Sequence, residues 1–337
     1  MAKTSITTSN ALCNKLISEK LHRDSVKESY WNKFMGEGSN VAVQVKSDLM
    51  KTKGDRITYG IRMRLSGTGV TEGTPLEGNE EALTTNSSTV TLQQYRHAVR
   101  DAGAMDRQRS VFNLSQESKD ALVDWGSEKI DQLAFDAITA SPTIYFSRQS
   151  GENSKGTSDP SASVTATDIL TPSLISFIKV YCMTGGNRSQ VPFRPIKING
   201  KKYFVLLVHP DVMFDLKNDS TYAQAVREAQ LRGKENPLFT GAAGIWDNVV
   251  VHEHENIDLT TTWGGAAVSG AKCTFFGAQA LTWAWGKKKQ IVEKKFDYDD
   301  EMGFGWGMIA GVAKPVFDSL DYGSAAVYVA RTKISDL

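Results

Sequence analysis

His252 and His254 stand two apart in a run that reads as a β-strand, which turns both imidazoles to one face at a spacing that metal sites use. No third ligand is identifiable in the sequence, and two polar residues on a surface or edge strand account for the pair without a metal. Gly67, Gly69 and Gly73 nearly form a dinucleotide-binding fingerprint, but the spacing is one residue too long and no strand-to-helix unit with a downstream acid follows. A flexible loop explains them. Lys287, Lys288 and Lys289, with Lys294 and Lys295 behind them and Trp283 and Trp285 ahead, make the best basic cluster. Tryptophans beside lysines suit base stacking with phosphate contact, and a strand running into a solvated turn accounts for the same residues. His209-Pro210-Asp211 follows an apolar run and reads as the turn from a strand into a short helix. There is no Walker-type phosphate loop, no GxSxG elbow and no HExxH. Cys13, Cys182 and Cys273 are odd in number and far apart, which favours buried thiols over a disulfide framework or a thiolate zinc site. These residues assign no catalytic group, no metal and no cofactor, so an enzyme is not the expected reading.

Composition bounds what surrounds them. With 337 residues the chain is one elaborate domain or two, long enough to bury a core. A formal net charge of +1 excludes the strongly basic balance of a dedicated nucleic-acid binder and leaves only local positive faces. There is no apolar run of about eighteen residues and no signal peptide at the start. Neither membrane insertion nor secretion is therefore expected, and the protein is expected to be made and kept in a cytosol.

The element that organises the rest is an amphipathic helix predicted over 113–141. Leu114, Leu122, Trp125, Ile130, Leu133, Ala134, Ala137 and Ile138 follow a repeat of three and four, while Lys119, Asp120, Asp124, Glu128, Lys129 and Asp131 mostly take the other faces. Asn113 or Ser115 is placed to cap it, and Ser141-Pro142 to end it. Ahead of it, residues 1–40 are polar with a short helix predicted over 11–26, and they read as an arm ordered only against another surface. A short strand is predicted over 41–45.

Residues 56–65 alternate cleanly, with Ile57, Tyr59, Ile61, Met63 and Leu65 on one side and Arg56, Thr58, Arg62 and Arg64 on the other. A return strand is predicted over 89–100, with a phase change at Gln93-Gln94 that suggests a bulge. Their connection exceeds twenty residues, far beyond an ordinary hairpin loop. Between Ser66 and Tyr95 the only charged residues are Glu72, Glu77, Glu80 and Glu81, whereas the flanks carry Arg56, Arg62, Arg64, Arg96 and Arg100. An acidic tip projects from a basic base, and these nine residues are the candidate inter-subunit contacts.

After the long helix, 147–167 is rich in Gly, Ser, Thr and Asp and reads as a linker or surface loop. Helices are predicted after Thr171-Pro172, after His209-Pro210 and from Ser220, and strands over 202–208, 248–254, 272–276, 289–295 and 325–331. This mixed order points to an α+β arrangement. Gly303-Phe-Gly-Trp-Gly-Met308 alternates bare backbone with bulk, so one face permits close approach of a neighbour. The C-terminal segment is expected to return beside the long helix, leaving residues from 147 to about 301 as an inserted unit.

Three ordered groups of residues carry a resemblance. The first runs from Ser47-Asp48-Leu49 through Lys53-Gly54-Asp55-Arg56-Ile57-Thr58 to Leu76-Glu77-Gly78-Asn79-Glu80-Glu81. The second is Gln94-Tyr95-Arg96-His97-Ala98-Val99, with Ala121-Leu122-Val123-Asp124-Trp125 and Lys129-Ile130-Asp131. The third is Leu207-Val208-His209-Pro210-Asp211, with Asn236-Pro237-Leu238-Phe239 and Gly241-Ala-Ala-Gly-Ile-Trp246 behind it. Together, over roughly residues 45–335, they resemble the major capsid protein family of tailed bacteriophages related to coliphage N-four. The resemblance implies the Hong Kong 97-type phage capsid fold. It makes 1–55 an N-terminal arm, 56–100 an extended loop over an adjacent subunit, 101–146 with 301–337 a peripheral domain built on the spine helix, and 147–300 an inserted axial domain. It further implies pentamers and hexamers closing an icosahedral shell around double-stranded DNA held without sequence specificity. Scaffolding, portal and decoration proteins are then expected partners, and the expected place is the virion capsid, assembled in the host bacterial cytoplasm. The founding member's lysine-to-asparagine crosslink finds no assignable pair here. Two other classes remain open at this point: a decoration or scaffold-type binding protein, and a metal-dependent hydrolase using His252 and His254.

Overall fold

The stripe at 113–141 forms one helix, Leu114–Thr139, whose 26 residues span about 39 Å at 1.5 Å per residue. It belongs to a computed structural model that describes residues 29–50, 54–62, 65, 67–83, 85–109, 114–184, 193–198, 200–228, 242–264, 267–317 and 319–332. Asn113 and the helix expected over 11–26 lie outside the described residues. The helix stops short of Ser141, whose φ of 40° leaves the helical path just before Pro142. Leu122, Ile130, Ala134 and Ile138 are buried as their spacing requires, and Val123 and Phe135 widen the stripe. Trp125 is only half-buried.

The stripe packs on a five-stranded sheet in the order Met35–Gly36, Val43–Lys46, Leu281–Phe296, Glu301–Ala313 and Gln93–Arg100. Its centre is the long antiparallel hairpin of Leu281–Phe296 with Glu301–Ala313, to which Gln93–Arg100 adds antiparallel. A nine-stranded sheet runs Ala242–Trp246, Val249–Glu253, Lys201–Val208, Val268–Phe276, Ser324–Ala330, Tyr145–Gln149 and Glu152–Gly156, with Leu259–Trp263 and Ile196–Ile198 paired at its side. The apolar run Lys201–Val208 shows why both faces of this sheet are covered. Phe204, Leu206 and Val208 enter a core with the helices Pro172–Thr184 and Pro210–Asn218, while Val205 and Leu207 enter the core that holds the long helix. The arrangement is α+β, as the element order predicts.

Several expectations are corrected. The phase change at Gln93-Gln94 is a change of sheet: Thr85–Thr91 pairs with Arg56–Arg62 in a two-stranded ribbon, and Gln93–Arg100 then pairs with Glu301–Ala313. The expected linker at 147–167 begins as a hairpin of Tyr145–Gln149 and Glu152–Gly156. Its second strand is the sheet's edge, where one free side tolerates polar residues. The last strand, Ser324–Ala330, joins the nine-stranded sheet between Val268–Phe276 and Tyr145–Gln149 instead of returning beside the helix. Leu281–Phe296 conversely lies in the helix-bearing sheet, so pairing exchanges these two strands between the units expected at 147–300 and 301–337. Within the first forty residues, Trp31 and Phe34 are core residues, contrary to the reading of a weakly apolar arm.

Candidate functional site

The hairpin strand Glu301–Ala313 separates an inner from an outer face. Phe304, Trp306 and Met308 turn inward and are buried. Trp306 lies against the helix where Gly126 removes the obstacle: a Cβ on Gly126 would fall 2.8 Å from the indole Nε1. Trp125 meets the same indole edge-on at 5.1 Å between ring centres and His97 at 4.7 Å. Lys119 closes this side with an ion pair to Glu293 at 2.6 Å.

The outer face is built on Gly303, Gly305 and Gly307. Arg100, Ala98 and Arg96 stand opposite them on one neighbouring strand, and Lys294, Val292 and Gln290 on the other. The result is a groove of about 690 Å³ lined by Gln94, Arg96, Lys287, Gln290 and Val292 over a floor that includes Gly305 and Gly307. Two register shifts in the hairpin, at Trp285/Lys287 and Lys287/Gln290, expose Lys287 and Lys288 and bury Lys289. The basic cluster is thus part of a continuous strand, and Trp283 and Trp285 are buried in the core, so they offer no surface for stacking bases. Arg100 pairs with Glu301, and both Arg100 and Lys294 lie over the ring of Phe296, at 4.2 and 4.8 Å.

The hairpin tip is tied down as well. Asp101 accepts from Met302 N at 2.7 Å and from Arg107 at 2.6 Å, and Asp300 accepts from Ala104 N at 3.1 Å. Burial pushes the Asp101 carboxyl upward, but the Met302 amide and the Arg107 guanidinium hold it below its ordinary range.

Glu72, Glu77, Glu80 and Glu81 all lie exposed in the loop at 67–83. Glu81 accepts from Gly67 N at 2.7 Å and Glu80 from Gly78 N at 2.8 Å, so these two also shape the loop. Arg56 is exposed on the ribbon, and the backbone of Arg62 pairs with Thr85. The Arg62 side chain and Arg64 lie outside the described residues. Arg96 and Arg100 sit on the outer sheet face, apart from the ribbon. The structure therefore divides the basic base in two and adds Lys287, Lys288 and Lys294, which the sequence reading assigned to a solvated turn. Their outward direction depends on the bulges, which no simple alternation announces.

The remaining candidates have structural roles. His209 caps the helix Pro210–Asn218, accepting from Asp211 N at 3.1 Å, and Asp211 pairs with Arg331. His252 is buried on an inner strand of the sheet, not on a surface or edge, and its ring meets Phe34 at 5.5 Å. Among the described residues no cluster of three metal-ligating side chains occurs, and no helix is long and apolar enough to cross a membrane.

A family model described as phage capsid protein matches residues 5–144 and 128–331. The major capsid protein of Pseudomonas phage KPP25 is 31% identical, over 91% of this chain and 92% of that protein. Among solved structures, the capsid of Ralstonia phage GP4 has a TM-score of 0.78 at 25% identity, covering 91% of this chain and 92% of that one. The capsid asymmetric unit of cyanophage Pam1 has a TM-score of 0.75 at 21% identity, over 91% and 93%, a likeness of fold.

Proposed function

The chain belongs to the phage capsid protein family, and from that premise we propose how its exposed loop and basic sheet face join copies into a head. It is the major capsid protein of a tailed phage, a structural protein of the icosahedral shell with the Hong Kong 97-type fold, and no enzyme. Within the family we place it beside the coliphage N-four group, a reading that rests on the ordered motifs of the sequence.

The acidic loop of one copy reaches the basic outer sheet face of the next, head to tail, and repetition closes pentamers and hexamers. One observation carries this contact: the exposed loop at 67–83 bears Glu72, Glu77, Glu80 and Glu81 with no cation among them, while Arg96, Lys287, Lys288 and Lys294 stand exposed beside a glycine-floored groove. Arg56, Arg62, Arg64 and Arg100 complete the proposed basic set. In this reading 1–55 is the N-terminal arm and 56–100 the extended loop. The five-stranded sheet with the long helix is the peripheral domain, and the nine-stranded sheet the axial domain. Scaffolding, portal and decoration proteins are proposed partners, the packaged double-stranded DNA is held without base readout, and assembly takes place in the host bacterial cytoplasm.

Charge exchange tests the contact. Glu72→Lys with Glu77→Lys should lower shell yield and make capsomers dissociate at lower salt. Arg96→Glu with Lys287→Glu added to the same chain should restore shell assembly. Unchanged yield and salt tolerance in the first pair would sink the electrostatic contact.

A further inference from the structure

Asp131, on the polar side of the long helix by its sequence position, is turned into the molecule. Its carboxylate accepts from Ser29 Oγ at 2.6 Å, Tyr30 N at 2.9 Å and Trp31 N at 3.3 Å, which supplies acceptors for the amides that open the short 3-10 turn Tyr30–Phe34. That turn has no capping side chain of its own. Tyr30 stacks on Phe135 of the helix at 6.0 Å and meets His254 edge-on at 4.4 Å, while Lys33 Nζ lies 3.9 Å from the Tyr30 ring centre and 3.3 Å from His252 Nδ1. Lys289 is buried in the facing hairpin strand, turned inward by the bulges, and it too feels the Asp131 charge. The N-terminal segment, the long helix and strands of both sheets thus meet around one carboxylate.

We propose that Asp131, with Lys33, Lys289, His252 and His254 around it, is a proton-sensitive clasp that holds the N-terminal segment to the helix and both sheets, closed in alkaline to neutral solution and loosened by acid. The charge count gives the direction. Asp131 and Glu255 are the carboxylates that act on this group, against two lysines and two imidazoles. Desolvation lowers the Lys33 ammonium to about 8 and the Lys289 ammonium to about 7, although Asp131 pulls both the other way. Burial likewise lowers His254, against the pull of Asp131 and Glu255 and with the push of Lys33. Tyr30, buried beside Asp131, has its hydroxyl pushed up and stays neutral throughout.

Each of these lysines and His254 therefore holds its proton less tightly in the closed clasp than in water, so the opened segment binds more protons and closure strengthens as pH rises. For Lys33 the window lies between about 8 and its ordinary value of about 10.4. For His254 it lies below about 6.5, where protonation also removes the Nδ1 acceptor of the Asn256 amide.

Hydrogen exchange of the full-length protein from pH 9 to pH 5, corrected for intrinsic rates, measures the clasp through the peptide spanning residues 29–35. Protection there should fall at least about tenfold from pH 9 to pH 7, the loss expected for one linked proton over one pH unit, and fall again below pH 6.5, while residues 122–138 of the helix keep theirs. Lys33→Met with Lys289→Met should flatten the alkaline limb, and Lys33→Met alone should leave the part that Lys289 carries. Asp131→Asn should lower protection at every pH. A wild-type profile that is flat after correction overturns the proposal without recourse to any variant, and so does an alkaline limb that survives in the double variant.

Discussion

The two faces of the strand Glu301–Ala313 are made from one alternating sequence and meet opposite demands. Inward, Phe304, Trp306 and Met308 fill the space beneath the long helix, at 2%, 1% and 1% exposure. Outward, Gly305 and Gly307 leave the backbone bare and let Arg96 and Lys287 frame a groove. The inner face binds the subunit together by exclusion of water. The outer face carries the Arg100–Glu301 pair, the cations over Phe296 and the proposed contact with a neighbouring copy. On the proposed contact, a single period-two pattern separates stability from assembly, and substitutions on the two sides should fail in different assays.

The largest effect is expected from Trp306→Ala. It removes a fully buried indole packed on Gly126 and Trp125 and leaves a cavity under the helix, a loss of about 3–5 kcal/mol. Denaturant unfolding of the unassembled protein measures it. Trp125→Ala should cost less, because that ring is half-exposed. Equal losses at the two positions would mean that the inner face extends to the helix flank.

A middle effect is expected where the hairpin tip is anchored. Asp101→Asn weakens the charge-assisted bonds to Met302 N and Arg107 and should cost about 1.5–3 kcal/mol. The pH dependence has a definite sign. A carboxyl held below its ordinary value gives stability that is present above the unfolded pKa of about 3.9, and that stability is lost as pH falls through the lower folded value. Acid unfolding should accordingly be shallower in Asp101→Asn than in the wild type. Identical acid limbs would show that another carboxylate governs that range.

The same contrast explains what the sequence discloses. The long helix is legible because its repeat persists over 26 residues, and the acidic loop because one sign of charge runs unbroken between arginine-bearing flanks. Both are local patterns. Glu152–Gly156 is concealed because a sheet edge accepts a polar strand, and Gln93–Arg100 because a change of partner and a bulge leave the same break in phase. Lys287 and Lys288 are concealed by the paired bulges that set them outward. Asp131 is the extreme case. Its partners at Ser29, Tyr30 and Trp31 are 100 to 102 residues away, so nothing near it in sequence says that a polar-face aspartate organises a joint.

The smallest effect on the subunit is expected from Gly305→Ala with Gly307→Ala, and it divides the two faces most sharply. A Cβ on Gly305 would meet nothing closer than Val292 O at 3.7 Å, and one on Gly307 nothing closer than Arg96 Cγ at 3.6 Å, both ordinary contacts. Neither glycine has a left-handed φ. The subunit should therefore tolerate both methyl groups and gain up to about 0.5–1 kcal/mol each, since alanine loses less backbone freedom than glycine in a strand. Gly303 is unsuitable for the purpose, because its Cβ would strike Phe296 at 2.7 Å. If the bare floor serves a neighbouring copy, the double variant should unfold at the same or a slightly higher temperature and yet form fewer shells, as the methyl groups raise the floor of the groove. Normal shell yield from a normally folded variant would remove the groove from the interface and leave the glycines to a role inside the subunit.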